Sequence, residues 1–202
     1  KIDGANVVKS VGAIHQFTKK MIESKKDSFP SIPKDNLISC ILGGNNRHYK
    51  FTKKSILDLI GKIINLKKKY PTFNFLIISS RRTSLDIMML IKEKLYKIAY
   101  IWDGLDENPY SFALNNSKFF ILTSDSTSMI SECAFTGKPV FVFHLPFKRI
   151  SERMESFHYE FENLKITKKF VDNLDLKSWQ YETLDEAKRI SGIIKERIIK
   201  GF

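Results

Sequence analysis

The chain has 202 residues, of which 43% are hydrophobic and 28% charged, a composition typical of a globular protein with one large domain. Because no apolar run approaches the roughly 20 residues that span a membrane, we expect no membrane-spanning helix, and we expect no secretory signal. The two cysteines, Cys40 and Cys133, lack metal-binding spacing and predict buried, reduced thiols in a cytoplasmic protein.

The formal net charge of +12 comes mostly from lysines that are scattered along the chain in pairs and triplets. Scattered lysines are typical of solvated helix faces, whereas a nucleic-acid-binding protein usually carries a stripe or a recognisable motif. We therefore expect no nucleic-acid partner, and only a weak, peripheral attraction to an anionic membrane surface.

The first 35 residues predict a strand end, a helix and a loop. The stretch N-V-V-K-S-V (6–11) is typical of the end of a strand, and apolar residues at helical spacing predict a helix over 14–26. Two prolines in the stretch 27–36 then predict a linker.

From residue 37 onward, short apolar runs alternate with segments of helical periodicity. The apolar runs predict five strands, at 37–42, 73–80, 97–102, 118–123 and 139–144. The periodic segments predict six helices, at 53–69, 84–95, 108–116, 126–136, 147–165 and 183–200, with Asn108 capping the third and Pro109 as its first residue. Strands that are apolar on both faces and separated by helices predict an α/β fold with a doubly wound, mostly parallel sheet.

In such a sheet, ligands bind beyond the carboxyl ends of the strands. Four of the five predicted strand ends are polar: G-G-N-N-R-H (43–48), S-S-R-R-T-S (79–84), W-D-G-L-D-E-N-P-Y (102–110) and T-S-D-S-T-S-M (123–129). These loops should meet in one crevice, and the pattern matches neither a P-loop nor a dinucleotide fingerprint.

Two of these loops favour phosphate binding. Gly43 and Gly44 would let backbone N–H groups approach an anion. A tight turn is the commoner reason for a Gly-Gly pair, but the position after a buried strand favours the anion. Arg81 and Arg82 suit a diphosphate, with the alternative that one of them pairs with Asp103 or Asp125. We expect one of these arginines to be structural and the other to face the ligand.

The loop after the fourth strand runs into a helix. Ser124 or Asp125 is predicted to cap that helix, which would aim its free N–H groups at the crevice. Ser126 and Ser128 would lie on the phosphate side of the ligand, with simple capping of the helix as the alternative role. Glu132, two turns into the helix, could accept hydrogen bonds from the vicinal hydroxyls of a ribose.

Taken together, these motifs, with N-V-V-K-S-V-G-A-I-H near the start and W-Q-Y-E-T-L-D-E near the end, closely resemble the mitochondrial-fission "elongated mitochondria" family of bacteria and plants. The bacterial members are regarded as GT-B glycosyltransferases, which have two lobes. The resemblance implies a segment from a missing or truncated N-terminal lobe at 1–35, a Rossmann-like donor-binding domain at 36–182 and a C-terminal helix at 183–202.

For function, the resemblance implies a metal-independent glycosyltransferase that binds a nucleotide-diphosphate sugar as substrate, with an unknown acceptor and no cofactor. The candidate donor-binding residues are Gly43, Gly44, Ser80, Arg81, Arg82, Asn108, Asp125, Ser126, Ser128, Met129 and Glu132.

Two other functions stay open. One is a non-catalytic adaptor, because plant members are linked to recruitment of a dynamin-like protein in fission. The other is a nucleotide-sugar epimerase, with Asp103 and Asp106 as acid and base. His15, near the expected hinge, and Asp103 are the catalytic candidates, whereas His48, His144 and His158 are expected to be structural.

Overall fold

The computed structural model describes residue 4 and residues 6–200. Six strands form one parallel sheet in the order β3-β2-β1-β4-β5-β6. The strands are β1 (Leu37–Leu42), β2 (Asn74–Ser79), β3 (Ala99–Trp102), β4 (Ser117–Thr123), β5 (Val140–Phe143) and β6 (Thr167–Lys169). The predicted α/β fold with a doubly wound parallel sheet is confirmed.

Seven helices accompany the sheet in the described part of the chain. They are α1 (Lys19–Glu23), α2 (Lys53–Lys69), α3 (Leu85–Leu95), α4 (Tyr110–Asn116), α5 (Thr127–Ala134), α6 (Glu152–Asn163) and α7 (Glu186–Ile199). Apolar side chains of α2 and α3 form a core on one face of the sheet, and those of α4 and α5 form a core on the other. Since both faces are covered, every residue of β1 is buried.

The sequence predictions differ from the structure at several element ends. The stretch 6–11 forms no strand. The helix expected over 14–26 is shorter than predicted and consists of α1 alone. Thr18 caps α1 by accepting a hydrogen bond from the N–H of Met21 at 3.2 Å. Helix α4 begins at Tyr110 with Pro109 at the N-cap position, one residue later than predicted, but the Asn108 side chain still makes the capping hydrogen bond, to the N–H of Tyr110.

Two further differences lie in the second half of the chain. Helix α6 begins at Glu152 rather than at 147, because Phe147 instead forms an antiparallel bridge with Tyr49. Strand β6 was not predicted. It has three residues, and the two lysines among them are exposed, so it carries no apolar pattern.

The segment before α1 is held by side chains from distant parts of the chain. The N–H of Val11 donates to Glu186 Oε2 at 2.8 Å, and the Arg189 guanidinium donates to the carbonyl of Lys9 at 2.6 Å. A little further on, the N–H of Ala13 donates to Ser131 Oγ at 2.9 Å. We call these three contacts the N-terminal clasp. These contacts hold residues 9–13, which form no helix or strand, against α5 and α7.

Candidate functional site

The candidate site lies where the sheet reverses direction. Strands β1 and β4 are neighbours, and the strands that follow each of them run away on opposite sides. The loops after these two strands therefore meet at the carboxyl edge of the sheet, which is where open α/β sheets bind ligands.

A buried carboxylate joins these two loops to the loop after β2. The side chain of Asp125 is fully buried and pairs with the Arg82 guanidinium at 2.8 Å. It also accepts hydrogen bonds from the N–H of Gly44 at 3.1 Å and from the Thr123 hydroxyl at 2.6 Å. The Thr123 hydroxyl accepts from the N–H of Gly43 at 2.8 Å. We call these five residues the Asp125 cluster.

The two glycines are required here because other groups occupy the space beside them. A Cβ atom on Gly43 would overlap the Asp125 carboxylate, and one on Gly44 would overlap the backbone carbonyl of Arg82. Both glycine N–H groups already have acceptors within the protein. The Gly-Gly pair thus brings two loops into close contact, a role that is neither the anion approach nor the tight turn that the sequence left open.

The loop after β2 separates the two arginines. Arg82 pairs with Asp125, as one of the sequence alternatives had it, whereas Arg81 is exposed and makes no ion pair within residues 6–200. The Ser80 hydroxyl accepts from the N–H of Arg82 at 3.2 Å, so Ser80 shapes the turn that carries both guanidinium groups. Of the two, Arg81 is the one open to a ligand.

Helix α5 begins beside this loop. Its N-cap is Ser126, whose hydroxyl accepts from the N–H of Met129 at 3.4 Å. The prediction that Ser124 or Asp125 would cap the helix is wrong, because the Ser124 hydroxyl accepts from the N–H of Leu145 and Asp125 belongs to the cluster below. Within residues 6–200, the N–H groups of Thr127 and Ser128 have no protein acceptor, and the Ser128 side chain is exposed. The positive end of this helix is therefore available to an anion.

Further along α5, Glu132 lies half-buried against Tyr110. The Tyr110 hydroxyl donates to Glu132 Oε2 at 2.5 Å. Burial raises the pKa of Glu132, and the tyrosine hydrogen bond partly opposes that shift. Asn108 accepts from the N–H of Tyr110 at 2.9 Å and so fixes the start of the helix that carries the tyrosine. One oxygen of Glu132 remains for a ligand.

The two catalytic candidates lie in different places. Asp103 follows the edge strand β3, where it pairs with Lys92 at 2.8 Å and accepts from the N–H of Leu105. The Lys92 ammonium is the main reason that the pKa of Asp103 is lowered. His15 lies instead in a groove of about 700 Å³ between the N-terminal segment and α7, with its ring edge-on to Phe135. The structure thus does not bring His15 and Asp103 together.

Among the other histidines, His158 supports the site from beneath. Its Nε2 lies 2.9 Å from the carbonyl of Ser124, and it is only 6% exposed. Burial is the main cause that lowers the pKa of His158 to about 4, with the neighbouring His144 adding to the shift. Sequence reasoning also missed Thr123 and Tyr110 as supports, although both belong to the quoted motifs.

Because His158 is buried, we expect the protein to lose stability in mild acid. Below the ordinary histidine pKa of 6.5, His158 becomes protonated in the unfolded chain but stays mostly neutral in the folded chain. The free energy of unfolding therefore falls as the pH falls. Between pH 7 and pH 5 the contribution of His158 is about 2 kcal/mol. His158→Gln keeps an N–H donor for Ser124 but cannot titrate, so its stability should fall about 2 kcal/mol less over that interval.

Urea unfolding at pH 7, 6 and 5 measures this difference. His48→Gln is the matched control, and it should keep the full loss because His158 is still present. Parallel pH profiles for wild type and His158→Gln would show that the histidine plays no part.

No group of three or more His, Cys, Asp or Glu side chains in the described ranges is arranged to hold a metal ion. None of the helices between residues 6 and 200 is long and apolar enough to cross a membrane.

Comparison with known proteins places the chain among relatives. The family described as Mitochondrial fission ELM1 matches residues 1–198. The uncharacterized protein RP120 of Rickettsia prowazekii (strain Madrid E) is 30% identical over 191 residues, which cover 91% of this chain and 53% of RP120. The mitochondrial fission protein ELM1 of Arabidopsis thaliana is 26% identical over 208 residues, 98% of this chain and 47% of that protein. The chain spans about half the length of these curated relatives.

Among solved structures, one from Listeria monocytogenes, provisionally assigned as a UDP-N-acetylglucosamine 2-epimerase, matches with a TM-score of 0.50. The match covers 93% of this chain and 50% of that one at 14% identity, so the likeness is one of fold. The family match over residues 1–198 shows that the chain belongs to the Mitochondrial fission ELM1 family.

Proposed function

We propose that this chain binds the donor of a glycosyltransferase, a nucleotide-diphosphate sugar, at the carboxyl edge of β1 and β4. The observation that carries the proposal is the arrangement of polar groups along α5. Within residues 6–200, the N–H groups of Thr127 and Ser128 at its first turn have no protein acceptor, and the half-buried residue Glu132 lies about 7 Å further along the same helix. That spacing suits a diphosphate at the helix start and a ribose at the carboxylate.

Each group has a defined task in this proposal. The N–H groups at the start of α5 and the Arg81 guanidinium stabilise the negative charge that develops on the leaving diphosphate. Glu132 accepts hydrogen bonds from ribose hydroxyls, while Tyr110 orients it from the other side. The Asp125 cluster, with Arg82 and both glycines, keeps the two loops in place. Ser80, Asn108, Ser126 and Met129 act through the turns and the helix cap described above.

Two observations weigh against an epimerase that uses Asp103. Its carboxylate is paired with Lys92, and it follows the edge strand β3, two strands away from the reversal point. An adaptor function needs no open helix start and no ordered carboxylate beside it. We therefore place the glycosyltransferase donor site first.

The test of this proposal is the change Glu132→Gln. The amide can still accept from Tyr110, but it lacks the charged oxygen that would hold a ribose. We expect UDP, or whichever nucleotide diphosphate the wild type prefers, to bind about 10- to 100-fold more weakly. Isothermal titration with UDP, GDP and CDP, and with UDP-N-acetylglucosamine, GDP-mannose and CDP-glycerol, measures the affinities.

Two controls sharpen the result. Glu93→Gln makes the same change on an exposed part of α3 and should leave the affinity unchanged. The 2′,3′-dideoxy form of the preferred nucleotide should bind wild type and Glu132→Gln with nearly equal affinity, because both hydroxyls that Glu132 would hold are then absent. Wild-type protein that takes up none of these nucleotides would rule out the donor site and favour the adaptor.

A further inference from the structure

A cavity of about 550 Å³ adjoins the start of α5. One wall is the segment 10–14, which the N-terminal clasp holds in place, and another is formed by residues of α6. Thr127, the first residue of α5, also lines it. We call it the α6 cavity. Because Thr127 belongs to the proposed donor site as well, a ligand bound at the start of α5 borders this cavity.

Thr127 and Glu132 face different sides of α5. Glu132 accepts a hydrogen bond from Tyr110 of α4, whereas Thr127 lines the cavity beside α6. Five positions separate the two residues, which corresponds to about 140° around the helix axis. A nucleotide whose ribose binds Glu132 would therefore cross the start of α5 to reach the α6 cavity. Since the phosphates follow the ribose in order, the terminal phosphate would be the one nearer this cavity.

Arg153 brings a positive charge to that side of α5. It is the second residue of α6 and is exposed, and its guanidinium forms no ion pair or hydrogen bond with another residue of the described chain. Among the described residues that line the α6 cavity, Arg153 alone is a cation. A guanidinium donates paired hydrogen bonds to a phosphate and keeps its charge at physiological pH.

Two carboxylates share the cavity with Arg153. Glu152 and Glu160 both line it, and neither forms an ion pair with Arg153. Helices α5 and α6 both begin at the carboxyl edge of the sheet, because they follow the parallel strands β4 and β5. Arg153 therefore lies at the end of the cavity where α5 begins, and Glu160 lies about 10 Å further along α6. Only the end with Arg153 and the start of α5 suits a phosphate.

We propose that Arg153 binds the terminal phosphate of the nucleotide-diphosphate donor, the phosphate that carries the sugar. This inference rests on the proposed donor site. In the strand order β2-β1-β4-β5, the loop with Arg81 and the loop before Arg153 lie on opposite sides of the start of α5, so the two arginines approach the diphosphate from two sides. When the bond from the anomeric carbon to this phosphate breaks, both electrons stay on the phosphate oxygen, and Arg153 offsets that charge. The acceptor hydroxyl forms the new bond and releases its proton to water.

The change Arg153→Gln tests the inference by comparing nucleoside diphosphates with monophosphates. The side chain is exposed, so thermal stability should stay the same. Whichever of UDP, GDP and CDP the wild type prefers should bind about 5- to 20-fold more weakly. The matching monophosphate lacks the phosphate that Arg153 would hold, so its affinity should not change. Isothermal titration measures the diphosphates directly and the monophosphates by competition with them.

Arg149→Gln is the matched control. Arg149 is exposed in the loop that leads to α6 but is not part of the cavity lining, so this variant removes the same charge and should keep both affinities. The inference is wrong, and the donor site stands, if Arg153→Gln binds the diphosphate as tightly as wild type does. The same holds if Arg153→Gln weakens the mono- and diphosphate equally, or if Arg149→Gln weakens the diphosphate as much. If the wild type binds no nucleotide, the proposed function fails, and this inference fails with it.

Discussion

Replacing Asp125 with alanine should lower the free energy of unfolding by about 3–5 kcal/mol, because it breaks a buried ion pair from one side. The carboxylate is fully buried, and its loss would leave the N–H of Gly44 and the Thr123 hydroxyl without their acceptor. Arg82 is 38% exposed and can turn toward water, which puts the expected loss toward the lower end of that range. Urea unfolding followed by circular dichroism measures it.

A surface aspartate provides the comparison. Asp58 pairs with Lys62 at 2.8 Å, but its side chain is 53% exposed, so Asp58→Ala should cost less than about 1 kcal/mol. Asp125→Asn, which keeps the shape and one acceptor oxygen, should fall between the two. Equal losses for Asp125→Ala and Asp58→Ala would contradict a structural role for the cluster.

Adding one methyl group at Gly44 should be as damaging as removing the carboxylate. A Cβ atom there would overlap the carbonyl of Arg82, and backbone cannot move aside as a flexible side chain can. We expect Gly44→Ala to lower the free energy of unfolding by more than about 3 kcal/mol.

The same substitution at Gly61 should have the opposite sign. Gly61 lies inside α2, and a Cβ atom there meets nothing within 4 Å. Alanine restricts the unfolded chain and favours helix, so Gly61→Ala should raise stability by about 0.5–1 kcal/mol. Urea unfolding of both variants measures the pair. A gain at Gly44, or a loss at Gly61, would show that the space around these glycines is not what decides the effect.

The sheet was predictable because its central strands are apolar on both faces. Such a run identifies a strand between two layers of helices without any knowledge of its neighbours. Two sequence predictions failed in opposite ways. Strand β6 was missed because two of its three residues are exposed lysines, although it pairs with β5. The segment 6–11 was expected to end a strand because its residues are strand-like, but no strand lies beside it.

The site was predictable at the level of loops but not of contacts. The polar strand ends identified the edge of the sheet, and the sequence left open whether an arginine pairs with Asp125. That pairing depends on how the loops after β1, β2 and β4 approach one another, and sequence spacing carries no such information. The division into 1–35, 36–182 and 183–202 stays a prediction.

The N-terminal clasp has a consequence for the order of folding. The contact between Val11 and Glu186 joins residues 175 positions apart, and that between Lys9 and Arg189 joins residues 180 positions apart. Contacts of such long range repay their loop-closure entropy only after the intervening sheet has formed. We therefore expect the segment over α5 to order last and to detach first, which would uncover the helix that carries Glu132 before the sheet beneath it opens.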